Sequence, residues 1–199
     1  MCNSKVTIII PVYNGADTIS RTIDSLIAQT YDDWIALVIN DGSTDGTNDI
    51  LMQYKNRYPS KIKVVCQKNI GQAETRNHAV KMATGKYVMF VDADDYLDPD
   101  YVGTYVKEAE KGDYDCVIGG FRREDNKGNI IKKFVPSSRW LMYSHMVPWA
   151  RIFKRQFLLD NDIEFLNISI GEDSYFNFKV LCACLLYTSP SPRDISGSR

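Results

Sequence analysis

The sequence predicts an α/β fold: a largely parallel central sheet with helices on both faces. Three observations carry this. Near-continuous apolar, β-branched runs recur along the chain, the pattern of strands buried on both sides. Segments with helical spacing of apolar residues lie between them. The Gly- and Asp-rich stretches fall at the ends of the runs, where open parallel sheets collect their ligands.

Taken in order, the first strand is expected over Lys5 to Val12. The helix after it shows Ile19, Ile23, Leu26 and Ile27 at i, i+4, i+7 and i+8. Trp34 to Asn40 reads as the second strand. Ile50, Leu51, Tyr54 and Tyr58 repeat the helical spacing, with Asp45 as a candidate cap and Pro59 as a stop. Lys61 to Cys66, Tyr87 to Val91 and Asp115 to Gly119 complete the strands. Phe121 to Val135 reads as a hairpin around Asn126-Lys127-Gly128-Asn129. Residues 136 to 183 mix short helical and extended pieces, with a helix expected from Glu172 to Cys182. No Gly-x-Gly-x-x-Gly follows the first strand, which disfavours a dinucleotide-binding Rossmann domain. There is no internal repeat.

The chain has 199 residues, enough for one domain with a sizeable core. Its net charge of −1 points away from nucleic acid and from an anionic membrane. The local basic clusters Lys132-Lys133 and Lys154-Arg155 read as solvated faces. No apolar run approaches about 18 residues, so no transmembrane helix is expected. The first strand begins so soon after Met1 that no signal peptide is expected. Cys2, Cys66, Cys116, Cys182 and Cys184 form no Cys-x-x-Cys pair. Cys66 and Cys116 fall in strands, where buried free thiols are common, and a reduced cytoplasmic setting fits. His78 and His145 form no visible metal cluster. The last residues, Ser189 to Arg199, read as linker or scar. Cys184 to Asp194 resembles the translation of a transposase adapter used in sequencing libraries. The expected organisation is therefore one domain over residues 1–183, incomplete at its C-terminal side, and a non-native, disordered tail over 184–199.

The densest chemistry lies where Tyr87 to Val91 runs into Asp92, Asp94 and Asp95. Carboxylates this crowded repel each other unless a cation sits between them, and oxygen ligands suit Mg²⁺ or Mn²⁺, ions that commonly hold a diphosphate. A solvated Asp-rich turn is the plain alternative. At the first strand end, Pro11-Val12-Tyr13-Asn14-Gly15 offers an aromatic that can stack on a base. At the second, Asp41 in Asn40-Asp41-Gly42-Ser43-Thr44-Asp45 can accept from the imide N–H of a uracil, or the segment can simply start a helix. After the third, Asn69-Ile70-Gly71-Gln72-Ala73-Glu74-Thr75-Arg76-Asn77 carries a guanidinium suited to a diphosphate, or merely a surface arginine.

These four segments together resemble the inverting family 2 glycosyltransferases of GT-A fold, over about residues 5 to 183. The resemblance implies that Pro11, Tyr13 and Asp41 frame the uracil and that Arg76 lies near the nucleotide. It implies that Asp92 and Ala93 contact the donor, that Asp94 with Asp92 holds Mn²⁺ or Mg²⁺, and that Asp95 orients a neighbour or binds the sugar. Ser169-Ile170-Gly171-Glu172-Asp173 resembles the family's Glu-Asp segment. Asp173 would be the general base, with Glu172 beside it, because an acceptor hydroxyl must lose its proton as it attacks. Both acids would also complement a helix dipole. The segment around Trp149 resembles the family's Trp-Asn-Lys segment, which implies part of the acceptor or donor-sugar wall, although Ala150-Arg151 replaces the usual Asn-Lys there and a core tryptophan is the plain alternative. The implied reaction moves a sugar from a nucleotide diphosphate donor, with a UDP-sugar favoured, to a glycan or glycolipid acceptor. It implies cell-surface polysaccharide or glycoconjugate synthesis, in the cytoplasm or at the inner face of the membrane, with room for peripheral membrane association. Two other readings remain: an inactive fragment or non-catalytic nucleotide-sugar-binding module, and a nucleotidyltransferase. The last is disfavoured because Pro11 to Gly15 carries no Lys or Arg.

Overall fold

The computed structural model describes residues 4–125, 128–135, 147–168 and 170–186. The elements run β1 (Val6–Val12), α1 (Ile19–Ile27), β2 (Trp34–Asp41), α2 (Thr47–Arg57), β3 (Ile62–Gln67), α3 (Gln72–Met82), β4 (Tyr87–Phe90), α4 (Tyr101–Lys111), β5 (Cys116–Ile118), β6 (Phe121–Glu124), β7 (Ile130–Phe134), β8 (Arg151–Lys154), α5 (Arg155–Asp160) and α6 (Glu172–Leu186). Six strands form one sheet in the order β3-β2-β1-β4-β8-β5. The first four are parallel, and β8 enters antiparallel between β4 and β5. The sequence did not announce β8: its four residues start and end on charged side chains, so they show no apolar run. Nor did it mark α4 or α5.

The expected two-sided burial is present. Every residue of β1 and β4 is buried. Alternate side chains feed two cores, because successive residues of a strand point to opposite faces. Val6, Ile8, Ile10 and Val12 pack with Ile23 and Leu26 of α1, Leu51 of α2 and Val102 and Val106 of α4. Ile9, Leu37, Ile39, Val88 and Phe90 pack with Val80 of α3, Phe157 and Leu158 of α5 and Phe176 and Val180 of α6.

A polar seam joins α1 to the chain that follows β4. Thr22, fully buried, places Oγ1 2.9 Å from the Ala93 carbonyl oxygen and 2.7 Å from that of Asp95. The Leu97 N–H donates to Ser25 Oγ at 3.1 Å. Gln29 donates to the Asp98 carbonyl at 2.8 Å and accepts from the Val102 N–H at 2.9 Å. Thr22, Ser25 and Gln29 recur at helical spacing, so one face of α1 and its extension carries the whole seam.

The expected hairpin forms as a separate ribbon, β6 paired with β7, with Phe121 opposite Phe134, Arg122 opposite Lys133 and Arg123 opposite Lys132. Asn126 and Lys127 of its turn lie outside the described residues, as do Cys2, Ser169 and, of the 136–183 stretch assigned mixed structure, residues 136–146 with His145. The Lys154-Arg155 cluster is not a free basic patch. Lys154 pairs with Asp113 at 2.9 Å, and Arg155 caps the end of α3 by donating to the Val80 and Lys81 carbonyls, each at 3.0 Å. Cys66 is exposed, correcting the expectation of a buried thiol, because β3 is an edge strand; Cys116 is buried. Helix α6 continues to Leu186, past the boundary expected at Ala183, and residues 187–199 lie outside the described residues. Among the described residues no helix is long and apolar enough to cross a membrane.

Candidate active site

The parallel register brings the C-terminal ends of β1 to β4 to one edge of the sheet, where Val12 stands beside Asn40, and Asp41 beside Gln67. The loops leaving β1 and β2 are bonded into one unit. The Asn14 N–H donates to Ser43 Oγ at 3.0 Å, and the Thr44 N–H returns to Asn14 Oδ1 at 2.8 Å. Gly15 donates its N–H to Thr47 Oγ1 at 2.9 Å, and Ala16 to Asp45 Oδ2 at 3.1 Å. Asp45 also accepts from the Thr47 N–H at 3.0 Å, so it serves the start of α2 from one residue before the cap position, which is Gly46. Pro11 is buried below this unit, and Tyr13 stands at its rim, 54% exposed.

Asp41 is only 4% exposed and is largely spoken for. Its Oδ1 accepts from Gln67 Nε2 at 2.8 Å and the Ile70 N–H at 3.0 Å, and its Oδ2 from the Gly71 N–H at 3.0 Å. A carboxylate offers about four lone-pair directions, so one on Oδ2 is left for a ligand. Gly42 makes this packing possible. It sits at φ +78°, and a Cβ there would lie 2.7 Å from the Asn69 nitrogen.

Arg76 is the centre of the site. It is 1% exposed, not the surface arginine that sequence alone allowed. One terminal nitrogen donates to Asp92 Oδ1 at 2.7 Å and the other to Asp173 Oδ1 at 2.8 Å. Gln72, one turn earlier on α3, also reaches Asp92 Oδ1, at 3.4 Å. The guanidinium lies 5.2 Å from the ring centroid of Phe165. Phe165 in turn stacks on Phe176, centroids 4.0 Å apart, and meets Phe90 edge-on at 5.3 Å. Phe176 is one helical turn after Asp173, so this aromatic packing sets where the first turn of α6 presents its carboxylate. Asn77 locks the support from α3, accepting the Phe165 N–H at 2.8 Å and donating to the Phe165 carbonyl at 2.9 Å.

Burial raises the Asp173 pKa above the usual carboxylate range, and the neighbouring Glu172 and Asp92 add to this, while Arg76 opposes it. In the acid loop, Asp92 keeps a quarter of its side chain exposed, Ala93 is half-buried and Asp94 is exposed. Arg21 holds the loop by donating to the Asp94 carbonyl at 2.7 Å. Asp95 has an exposed edge, yet loss of water around it, then the charges of Asp92 and Asp94, push its pKa up to about 6, with Arg21 opposing. Among the described residues no three His, Cys, Asp or Glu side chains are gathered as a metal cage. The donor set fits a hard divalent cation held by one or two carboxylates and by oxygens that a ligand supplies.

Trp149 is half-buried and packs edge-on against Phe121, centroids 4.6 Å apart, beside the ribbon. Its neighbour Arg151 is 1% exposed, and burial lowers its pKa. The structure thus brings Asp92, Arg76 and Asp173 together directly and sets Asp41, Tyr13 and Asp94 on the same strand-end edge. Sequence reasoning missed Gln67, Gln72, Thr22 and Arg21, and named Asn77 in the third segment without a role. The i, i+4 pair Gln72 and Arg76 was the one available signal, since such residues share a helix face.

A mostly parallel sheet that ends in these loops, with an antiparallel strand inserted beside the acid loop, is the GT-A architecture of nucleotide-sugar transferases. The chain belongs to glycosyltransferase family 2, whose model matches residues 7–176. It is 33% identical over 189 residues to the uncharacterized glycosyltransferase YibD of Escherichia coli K12, covering 83% of this chain and 54% of that protein. It is 33% identical over 182 residues to a poly(ribitol-phosphate) beta-glucosyltransferase of Bacillus spizizenii, covering 86% of this chain and 28% of that one. Residues 1–349 of S. aureus TarS, solved with UDP, superpose with a TM-score of 0.77 at 27% identity, covering 90% of this chain and 55% of that one. The chain therefore spans only about a quarter to a half of the relatives it matches.

Proposed function

We propose that this domain transfers a sugar from a nucleotide diphosphate donor, a UDP-sugar, to an acceptor hydroxyl of a glycan or glycolipid, with inversion. The observation that carries the reading is the meeting of Asp92, Arg76 and Asp173. It joins the acid loop to a carboxylate whose surroundings raise its proton affinity, as a general base requires. Asp173, with Glu172 beside it, takes the acceptor proton, and the hydroxyl attacks from the face opposite the leaving nucleotide. Asp41 and Tyr13 hold the uracil, the first through its remaining lone pair and the second by stacking. Pro11, Ala93 and Trp149 shape the walls. Asp94 with Asp92 would hold Mn²⁺ or Mg²⁺, which supplies positive charge to the departing diphosphate. Arg76 faces inward onto carboxylates, so its part is to set Asp92 and Asp173 rather than to grip phosphate.

Calorimetric titration of UDP, ADP and GDP with and without Mn²⁺ tests the donor site. Mn²⁺-dependent binding that prefers UDP is expected, and Asp94→Ala should abolish it. Asp173→Asn should spare binding and remove transfer. Folded protein that binds no nucleotide would instead support an inactive fragment.

A further inference from the structure

The β6–β7 ribbon carries a charge arrangement that its own fold does not compensate. Two pairs of cations face each other directly across the strands, Arg122 with Lys133 and Arg123 with Lys132. Like charges directly opposite each other destabilise a strand pair, and a two-stranded ribbon is marginal to begin with. The first pair is neutralised. Arg122 forms a two-pronged ion pair with Asp98, one arm at 2.7 Å, and a second pair with Glu124. The second is not: Arg123 and Lys132 are both exposed and have no carboxylate partner among the described residues. Strand alternation puts Phe121 and Phe134, which pack on each other, with Phe121 also against Trp149, on the same face as Arg123 and Lys132.

We propose that this face of the ribbon binds an acceptor polymer bearing repeated negative charge, phosphate or carboxylate, seated on Arg123 and Lys132 with the Phe121–Trp149 aromatics beside it. The proposal deepens the transferase reading and rests on it. Directly opposed residues lie about 5 Å apart, so both cations reach one anionic group or two successive ones. The root of the ribbon is fixed to the acid loop, since Arg122 pairs with Asp98 and Tyr96 hydrogen-bonds Glu124. Strand alternation turns Arg122 and Glu124 to the other face of the ribbon, so a polymer held on Arg123 and Lys132 meets the site through Trp149, the candidate sugar wall, rather than through the acid loop. An anionic lipid surface is the less suitable partner. An element lying in a membrane interface separates its apolar and basic faces, whereas here Ile130 shares a face with Lys132 and Ile131 shares one with Lys133.

The test is binding of end-labelled linear polyphosphate, with neutral dextran and phosphatidylglycerol–phosphatidylcholine vesicles as the other probes. The proteins are the wild-type chain, R123E/K132E and the control R57E/K63E, which changes net charge equally on α2 and β3. The wild type should bind polyphosphate in a salt-dependent way and ignore dextran. R123E/K132E should bind at least about tenfold more weakly, with a log–log salt slope smaller by about two, while the control stays close to wild type. UDP titration in all three reports the donor site independently. Polymer binding without UDP binding would leave the ribbon site standing and remove the transferase reading. Equal losses in both variants, unchanged binding in R123E/K132E, or binding to vesicles but not to polyphosphate would each overturn the proposal.

Discussion

Replacing Arg76 by Gln isolates the group on which the site converges. The side chain is 1% exposed and makes two charge-assisted hydrogen bonds, 2.7 Å to Asp92 and 2.8 Å to Asp173. Removing one partner from a buried ion pair costs about 3–5 kcal/mol, because the remaining charge has lost its compensation. Here the abandoned carboxylates keep 25% and 32% of their surface and can draw in water, which places the loss at the lower end, about 3 kcal/mol. For a domain of this size that corresponds to a fall in Tm of roughly 6–12 °C. Urea unfolding followed by circular dichroism, with the slope checked for constancy, measures it. Asp173→Asn placed on Arg76→Gln should recover part of the loss, since one stranded charge is then gone. Arg76→Lys should recover part of it too, because an ammonium lacks the fork that spans both acids. An Arg76→Gln midpoint equal to wild type would refute the reasoning, since the three groups would then be neighbours without mutual dependence.

Turnover should depend on pH through Asp173. Its pKa lies above the ordinary carboxylate value, so activity should fall with decreasing pH on a limb above about pH 4. Arg76 acts to lower that pKa, so any residual activity of Arg76→Gln should show the limb displaced to higher pH. Thr22→Val keeps the shape of a fully buried side chain but strands the Ala93 and Asp95 carbonyls. It should cost about 1–3 kcal/mol in urea unfolding and weaken Mn²⁺-dependent UDP binding as well. Asn77→Leu removes both bonds to the Phe165 backbone and should cost about 2 kcal/mol or more, with Asp173→Asn behaviour in transfer assays because the aromatic support sets α6.

Much of the fold was legible because strands buried on both sides must be apolar throughout, and β1, β2 and β4 say so in their residues. β8 was not, since its Arg151 and Lys154 hide a strand whose place depends on β4 and β5 already standing. Asp92 and Asp94 could be singled out from residue type and order, and Asp173 through the resemblance to the family's Glu-Asp segment. What Arg76 does could not, because its partners are 16 and 97 residues away and only the folded chain brings them within reach. The same holds for Asp41: its chemistry was readable, but the hydrogen bonds from Gln67, Ile70 and Gly71 that use most of its capacity come from another strand end.

The seam of Thr22, Ser25 and Gln29 has a bearing on how such domains can be recombined. The backbone from Ala93 to Val102 takes its course from donors and acceptors on a helix some 70 residues earlier in the chain. A chimaera that imports only the stretch after β4 from a relative would carry a loop cut for a different template. Exchanging residues 18–30 together with 92–102 moves template and casting as one cassette, and that is the smallest unit in which donor loops of this kind should be traded.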